Sequence, residues 1–238
     1  MKKIDEKTVK KFWDDRAKKY GKVSFHAVTT FSEGPEVERR DSLEKQKIRR
    51  YLDFSKDRNI IDLGCGIGRI AINLSSYVDF ILAIDFACPL VEIGKKEIKK
   101  RNIKNVEFLC ASSADFKYNK EFDAVVICGL FNNFNDDTFE KTVKNINKHL
   151  KKGGKVIAKE SVGIGERFEI VDKFSEEIGT KYNSIYRTPQ TIIDTFKKYG
   201  FENKVSKKLL QHRKETGFWF FVFEKAKNGQ SNRNLKRS

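Results

Sequence analysis

Asp62, Gly64, Gly66 and Gly68 fall at alternate positions, where the apolar run Ile60-Ile61 ends and the helically spaced residues Ile70, Ala71, Ile72 and Leu74 begin. A short apolar run ending in glycines reads as a buried strand entering a tight turn. Three glycines in five positions let the backbone take positive φ and come close to a ligand. The helix that follows offers unpaired N–H groups and the positive end of its dipole. Twenty-one residues after Gly64, Asp85 closes a second apolar run, Phe80-Ile81-Leu82-Ala83-Ile84. A carboxylate at that strand end can accept hydrogen bonds from both hydroxyls of a ribose. The dinucleotide fingerprint G-x-G-x-x-G needs a longer spacing between its last two glycines, which counts against a nicotinamide dinucleotide.

The D-x-G-x-G-x-G loop, with Asp85 at this distance, resembles motif I and the next strand end of the class I S-adenosylmethionine (SAM) methyltransferases. The segment Phe12-Trp13-Asp14-Asp15-Arg16-Ala17-Lys18-Lys19-Tyr20-Gly21 is similar to the W-x-x-R-A-x-x-Y entry helix of their small-molecule members. The resemblance covers about residues 8 to 224 and implies SAM as cofactor. It implies that Trp13, Arg16 and Tyr20 close over the methionine end and that Gly64, Cys65 and Gly66 give backbone contacts. Asp62 would anchor the loop or the methionine ammonium, Asp85 would take the ribose, and Phe86 would lie beside the adenine. Relatives often carry G-D-A-x-D-L after the third strand, whereas this chain has Ala111-Ser112-Ser113-Ala114-Asp115-Phe116. The Ser112 hydroxyl, or backbone groups of Ser113 and Ala114, then stand in for the acid near the adenine amine. The fourth strand ends at Cys128, in a loop that passes beneath the methionine arm in the family.

A neutral amine acceptor needs only its lone pair, but a hydroxyl needs a general base. The candidates are Glu160 at the end of the fifth strand, His26 in a loop over the site, and Tyr186 in an inserted segment; His212 and His149 read as structural. The loop after Cys128, Gly129-Leu130-Phe131-Asn132-Asn133-Phe134, lacks the Asn/Asp-Pro-Pro-Tyr/Phe signature of nucleic-acid exocyclic-amine enzymes. No Pro-Cys or Thr-Cys nucleophile of the cytosine-C5 type is present there either. The expected function is transfer of a methyl group to an O or N atom of a small-molecule acceptor. Two other readings stay open: an RNA (tRNA) methyltransferase that uses the basic surface, and a non-catalytic SAM-binding accessory protein.

The elements that must position these groups follow from pattern. Val9, Phe12, Trp13, Arg16 and Tyr20 predict a helix over 5–20, and Pro35 begins a second, studded with Arg39, Arg40, Arg49 and Arg50 as a solvated face. Apolar strands then alternate with helices up to Lys159, which predicts a doubly wound, mostly parallel seven-stranded sheet of Rossmann-like type. Residues 166–178 are expected to form an inserted helix, and two closing strands follow at 201–210 and 218–224. The expected organisation is a helical lid over 1–55, a methyltransferase domain over 56–224 and a basic tail over 225–238 that is disordered.

The 238 residues carry a formal net charge of +16. Such a charge favours anionic partners, although usage rich in Ile, Asn and Phe also matches an AT-rich genome. No run approaches the ~18 apolar residues of a membrane span, and Met1-Lys2-Lys3-Ile4 opens without the apolar core of a leader. The expected compartment is the cytoplasm. Cys65, Cys88, Cys110 and Cys128 have no metal-ligand spacing and are expected to be small, reduced residues near the cofactor crevice, with no metal site.

Overall fold

The computed structural model describes residues 3–20, 35–176, 180–211 and 213–227. Two helices lead, α1 (Glu6–Tyr20) and α2 (Pro35–Tyr51). The alternating body is β1 (Asn59–Leu63), α3 (Arg69–Leu74), β2 (Phe80–Asp85), α4 (Cys88–Lys100), β3 (Val106–Cys110), β4 (Phe122–Cys128), α5 (Asp136–His149) and β5 (Leu150–Gly163). After it come β6 (Phe168–Ser175), β7 (Thr180–Tyr186), α6 (Pro189–Lys198), β8 (Phe201–Gln211) and β9 (Thr216–Lys225).

Seven strands form one sheet in the order β3-β2-β1-β4-β5-β9-β8. Neighbours from β3 to β5 are parallel, while β9 runs antiparallel to both β5 and β8. This is the doubly wound sheet the alternation predicts. Strand order reverses between β1 and β4, and a crevice opens beyond the carboxyl ends of strands at such a switch. Continuous apolar runs make the central strands buried on both faces: Ile60, Ile61, Leu63, Ile81 to Ile84 and Ala124 to Ile127 are wholly inaccessible. One face packs against α5 and α6 through Phe131, Phe139, Ile146 and Phe196. The other packs Ile48, Ile70, Leu74 and Val91 from α2, α3 and α4.

Two expectations are corrected. The segment expected as a helix over 166–178 instead carries β6, which pairs with β7 as a separate antiparallel ribbon. Its register shifts between Ile170 and Lys173, and Asp172 takes φ 50°. The extra residue of that bulge sets Ile170, Val171 and Phe174 at one-and-four spacing, which imitates a helical face. The second correction concerns the cysteines. Cys88 and Cys110 form a disulfide, with their Cα atoms 5.2 Å apart, while Cys65 and Cys128 are free thiols. Cys110 is the register partner of Asp85, so the turn from β2 into α4 brings Cys88 beside it. That proximity follows from strand order and leaves no mark in linear spacing.

The lid helix is held from both sides. Trp13, Ala17 and Tyr20 pack with Ile67, Ala87 and Leu90, and Ile4 and Val9 pack with Ile185 of the ribbon. The Glu6 carboxylate accepts from Asn135 N at 2.9 Å and Thr138 Oγ1 at 3.1 Å, which caps α5 at the positive end of its dipole. The expected loop over residues 22–34, with His26, and His212 fall outside the described residues, as does the tail beyond 227.

Candidate active site

The glycine loop is held by its backbone. Gly64 N and Cys65 N both donate to Ile84 O, at 2.8 and 3.0 Å, so the loop sits across the end of β2. Gly64 has φ +75°, and a Cβ there would meet Leu130 Cδ1 at 2.8 Å. Gly68 has φ +77° at the N-cap of α3, and a Cβ would lie 2.3 Å from the Phe108 ring. Both positions favour glycine by conformation, and at Gly68 the buried Phe108 ring adds a steric reason. Asp62, 2% exposed, accepts from Ala71 N at 3.0 Å and pins the first turn of α3 to β1. Burial pushes its carboxyl up to about 7, against the opposing backbone hydrogen bond and Arg69.

Asp85 ends β2 with one oxygen on Gly66 N (2.8 Å) and the other on Ala87 N (2.9 Å). Burial raises its carboxyl to about 6 despite those donors. Each oxygen retains a lone pair for a further donor. Two connected hollows meet at this group. A narrow one of about 50 Å3 is lined by Trp13, Gly64, Gly66, Arg69, Cys128 and Gly129. A wider one of about 210 Å3 is lined by Phe86, Ala111, Ser112, Ser113 and Phe134. Gly64, Asp85, Phe86, Leu130 and Asn133 belong to both.

These walls bring together most of the cofactor-binding residues expected from the sequence. Asp62, Gly64, Cys65, Gly66, Asp85, Phe86, Trp13 and Cys128 line the narrow hollow, and Ser112 and Ser113 line the wider one. Arg16 and Tyr20 line neither; the Arg16 guanidinium lies 4.8 Å from the Tyr20 ring centre and 5.7 Å from that of Phe12. Ala114 is turned away as well, its N–H donating to Ser112 Oγ at 3.2 Å. The Ser113 hydroxyl is engaged with Thr142 Oγ1 at 3.0 Å. Burial pushes the Cys128 thiol up to about 12, so it stays protonated near neutrality.

The candidate bases have structural partners. Glu160 is wholly buried and its two oxygens accept from Leu130 N and Phe131 N, at 3.0 and 3.1 Å. Burial raises its carboxyl to about 7. Tyr186 is buried in β7 with its ring 5.9 Å from that of Phe168.

Other residues shape the site, among them Asn133, Arg69 and Glu44, which the sequence did not single out. Asn133 lines both hollows, accepts from Trp13 Nε1 at 3.3 Å and donates to Gly129 O, tying the lid to the loop after β4. Arg187, 1% exposed, donates to Phe131 O at 2.7 Å, Phe134 O at 2.8 Å and Asp136 Oδ1 at 2.8 Å. The ribbon thereby clamps that loop from outside. Arg69 pairs with Asp41 and Glu44, at 2.7 and 2.6 Å, and Glu44 pairs with Lys159 at 2.8 Å. Burial opposes ionisation of Glu44, but Lys159 and Arg69 outweigh it and bring the carboxyl down to about 2. Arg69 follows the last glycine of the motif, the one signal that could have marked it.

Among the described residues, no group of three or more His, Cys, Asp or Glu side chains could hold a metal ion. No helix among them is long and apolar enough to cross a membrane.

A family model described as "Methyltransferase domain" matches residues 60–154. A demethylmenaquinone methyltransferase of Lactococcus lactis is 28% identical over 165 residues, covering 68% of this chain and 61% of that protein. Phosphoethanolamine N-methyltransferase 1 of Triticum aestivum is 26% identical over 163 residues, covering 66% and 31%. The chain thus spans from about a third to three fifths of the length of these two curated relatives. Among solved structures, the DhpI–SAH complex superposes with a TM-score of 0.66 at 17% identity, over 94% of this chain and 98% of that one. The [4+2]-cyclase SpnF superposes with a TM-score of 0.64 at 17% identity, over 79% and 82%. These likenesses show the fold.

Proposed function

We propose that the chain is a class I SAM-dependent methyltransferase that transfers the methyl group of SAM to an O or N atom of a small-molecule acceptor. The observation that carries this reading is the cradle at Asp85: a buried carboxylate, lodged on Gly66 N, opens into both hollows beside a loop whose Gly64 sits at φ +75°. Those residues fit a nucleoside joined to an amino-acid arm. Asp85 would accept from the ribose hydroxyls, the wider hollow at Phe86, Ser112 and Ser113 would take the adenine, and the narrow one under Trp13 would take the methionine arm.

When bound, SAM supplies an electrophilic methyl on a sulfonium, which an acceptor lone pair takes in line as the carbon–sulfur bond breaks. The chain's own work is alignment and exclusion of water, which can supply much of the rate. Trp13 and Asn133 close the lid over the narrow hollow. We assign Glu160 to positioning, because both its oxygens hold the loop after β4. Tyr186, packed on Phe168, supports the same loop through its neighbour Arg187. His26 lies outside the described residues, and no role is given to it.

The readings as an RNA enzyme and as a non-catalytic protein are separated from this one by a single experiment. Purified protein is incubated with tritiated-methyl SAM and fractionated cell extract, with and without ribonuclease. Label in a ribonuclease-resistant, low-mass fraction is the expected result. Label lost with ribonuclease, or no label at all while S-adenosylhomocysteine binds, would replace this reading by one of the other two.

A further inference from the structure

The disulfide between Cys88 and Cys110 stands at the rim of the wider hollow. Cys88 opens α4 just after Phe86 and Ala87, and Cys110 closes β3 immediately before Ala111 and Ser112. Phe86, Ala111 and Ser112 all line that hollow, so the covalent bond joins two segments of chain that wall it. The Cys110 sulfur lies 3.9 Å from Phe86 O. Nearer the sheet, the two segments are tied by the backbone: Cys110 is the register partner of Asp85, and Ala111 N donates to Asp85 O at 3.0 Å. The disulfide carries that connection past the last pair of the ladder, from Asp85 out to the turn that begins at Phe86.

The same turn seats the lid. Phe86 packs with Ile4 and Val9, and Ala87 and Leu90 pack with Trp13, Ala17 and Tyr20. A displacement of the turn therefore reaches the wall of the wider hollow and the lid at once. The bridge is also open to attack, because Cys88 is exposed and Cys110 only half-buried. The two free thiols are poor partners in exchange. Burial pushes both the Cys65 and the Cys128 thiol up, which keeps them protonated.

Building on the methyltransferase reading, we infer that Cys88–Cys110 is a thiol–disulfide exchange site through which a dithiol reductant sets the affinity for the cofactor. One thiolate of the reductant attacks the exposed Cys88 sulfur; the bond to Cys110 breaks, and Cys110 leaves as a thiolate and takes a proton. The second thiolate of the reductant then attacks its own sulfur in the mixed disulfide and releases Cys88. That leaving thiolate sits in the first turn of α4, where the helix dipole favours a negative charge. Once Cys88 is protonated, the pair has gained two electrons and two protons, and the reductant ends as a disulfide. With the bond intact, the wall at Phe86 is held ready for a ligand. With the bond broken, the turn is free to drift from β3, and binding must also order the turn and the lid it seats, which costs affinity.

S-adenosylhomocysteine is titrated by calorimetry into the full chain before and after treatment with dithiothreitol, with thiols counted and thermal melting recorded for each sample. The reduced protein is expected to bind about tenfold more weakly, within the usual range of coupling between two sites. Cys88→Ser should bind as weakly as the reduced protein and show no response to dithiothreitol. By reciprocity, saturating S-adenosylhomocysteine should raise the ratio of reduced to oxidised dithiothreitol that half-reduces the protein, by the same factor as the loss of affinity. Equal affinity in the two redox states, an unshifted midpoint, or a Cys88→Ser protein that still responds to dithiothreitol would overturn the proposal and leave the disulfide a structural staple. Four thiols before treatment, or loss of cooperative melting in both the reduced and the substituted protein, would overturn it too. Failure of S-adenosylhomocysteine to bind in either redox state would instead overturn the methyltransferase reading.

Discussion

Asp85 accepts a hydrogen bond from the backbone N–H of Gly66 at 2.8 Å, so the carboxylate expected to hold the ribose also holds the glycine loop in place. Its burial, which outweighs the two backbone donors, sets its carboxyl near 6. Only the ionised form offers both oxygens as charged acceptors to the ribose hydroxyls. Ligand affinity should therefore be full above pH 6 and fall as the pH drops through that value, by up to about tenfold per unit. Calorimetric titration of S-adenosylhomocysteine from pH 7.5 to pH 5 checks this. A flat profile would place the ribose elsewhere.

Asp85→Ala should weaken S-adenosylhomocysteine by about 1.5–3 kcal/mol, the scale of hydrogen bonds to a charged acceptor. Thermal melting measured beside it should fall while staying cooperative, because Gly66 N and Ala87 N lose their buried acceptor. An unchanged dissociation constant would remove Asp85 from the site.

Glu160→Gln keeps the shape but can accept at only one of its two positions, and its amide then faces a backbone N–H. The loop after β4 should loosen and turnover should fall at least tenfold, with the pH profile of the residual activity unaltered. A residual rate that instead loses an ionisation near 7, where burial places the Glu160 carboxyl, would make Glu160 a proton carrier after all.

Glu44→Ala leaves Arg69 and Lys159, each about a tenth exposed, without their shared partner. Breaking a buried pair in this way costs about 3–5 kcal/mol. Urea unfolding gives the number directly; a loss below about 1 kcal/mol would mean that solvent screens the network.

The disulfide closes a loop between positions 88 and 110, a separation of 22 residues. In the chain-entropy account such a loop contributes about 3 kcal/mol. Protein unfolded without reductant should show two reactive thiols, those of Cys65 and Cys128, and reduction should lower stability by about that amount. Four thiols in unreduced protein would contradict the pairing.

The parts readable from the sequence were those with a local cause. Strands β1 to β4 announced themselves as short, largely apolar runs, and the glycine loop and Asp85 sat at their ends where topology converts a strand terminus into a ligand contact. What escaped had causes spread over distant segments. The bulge at Asp172 disguised a strand as a helix. Cys88 and Cys110 meet only because β3 lies beside β2. Arg39 and Arg40, read as a solvated face, border a cavity because α2 packs across the ends of β5 and β9, and Glu44 became an ion-pair hub for the same reason. Trp13, placed over the cofactor end by the similarity to known entry helices, lines the narrow hollow, whereas Arg16 and Tyr20 stack on each other beside it.

Strand β5 continues for four residues beyond Lys159, its last pairing with β4, and there it pairs with β9 alone. At its tip Gly163 N donates to Arg187 O, joining the β6–β7 ribbon. Its first residue, Glu160, still holds the loop after β4, but beyond it the overhang works as a cantilever from which the ribbon hangs. Length changes past Glu160 would thus shift the ribbon while the glycine loop and Asp85, built on β1 and β2, stay where they are, a division that separates the outer wall of the site from the part that would hold the methyl donor.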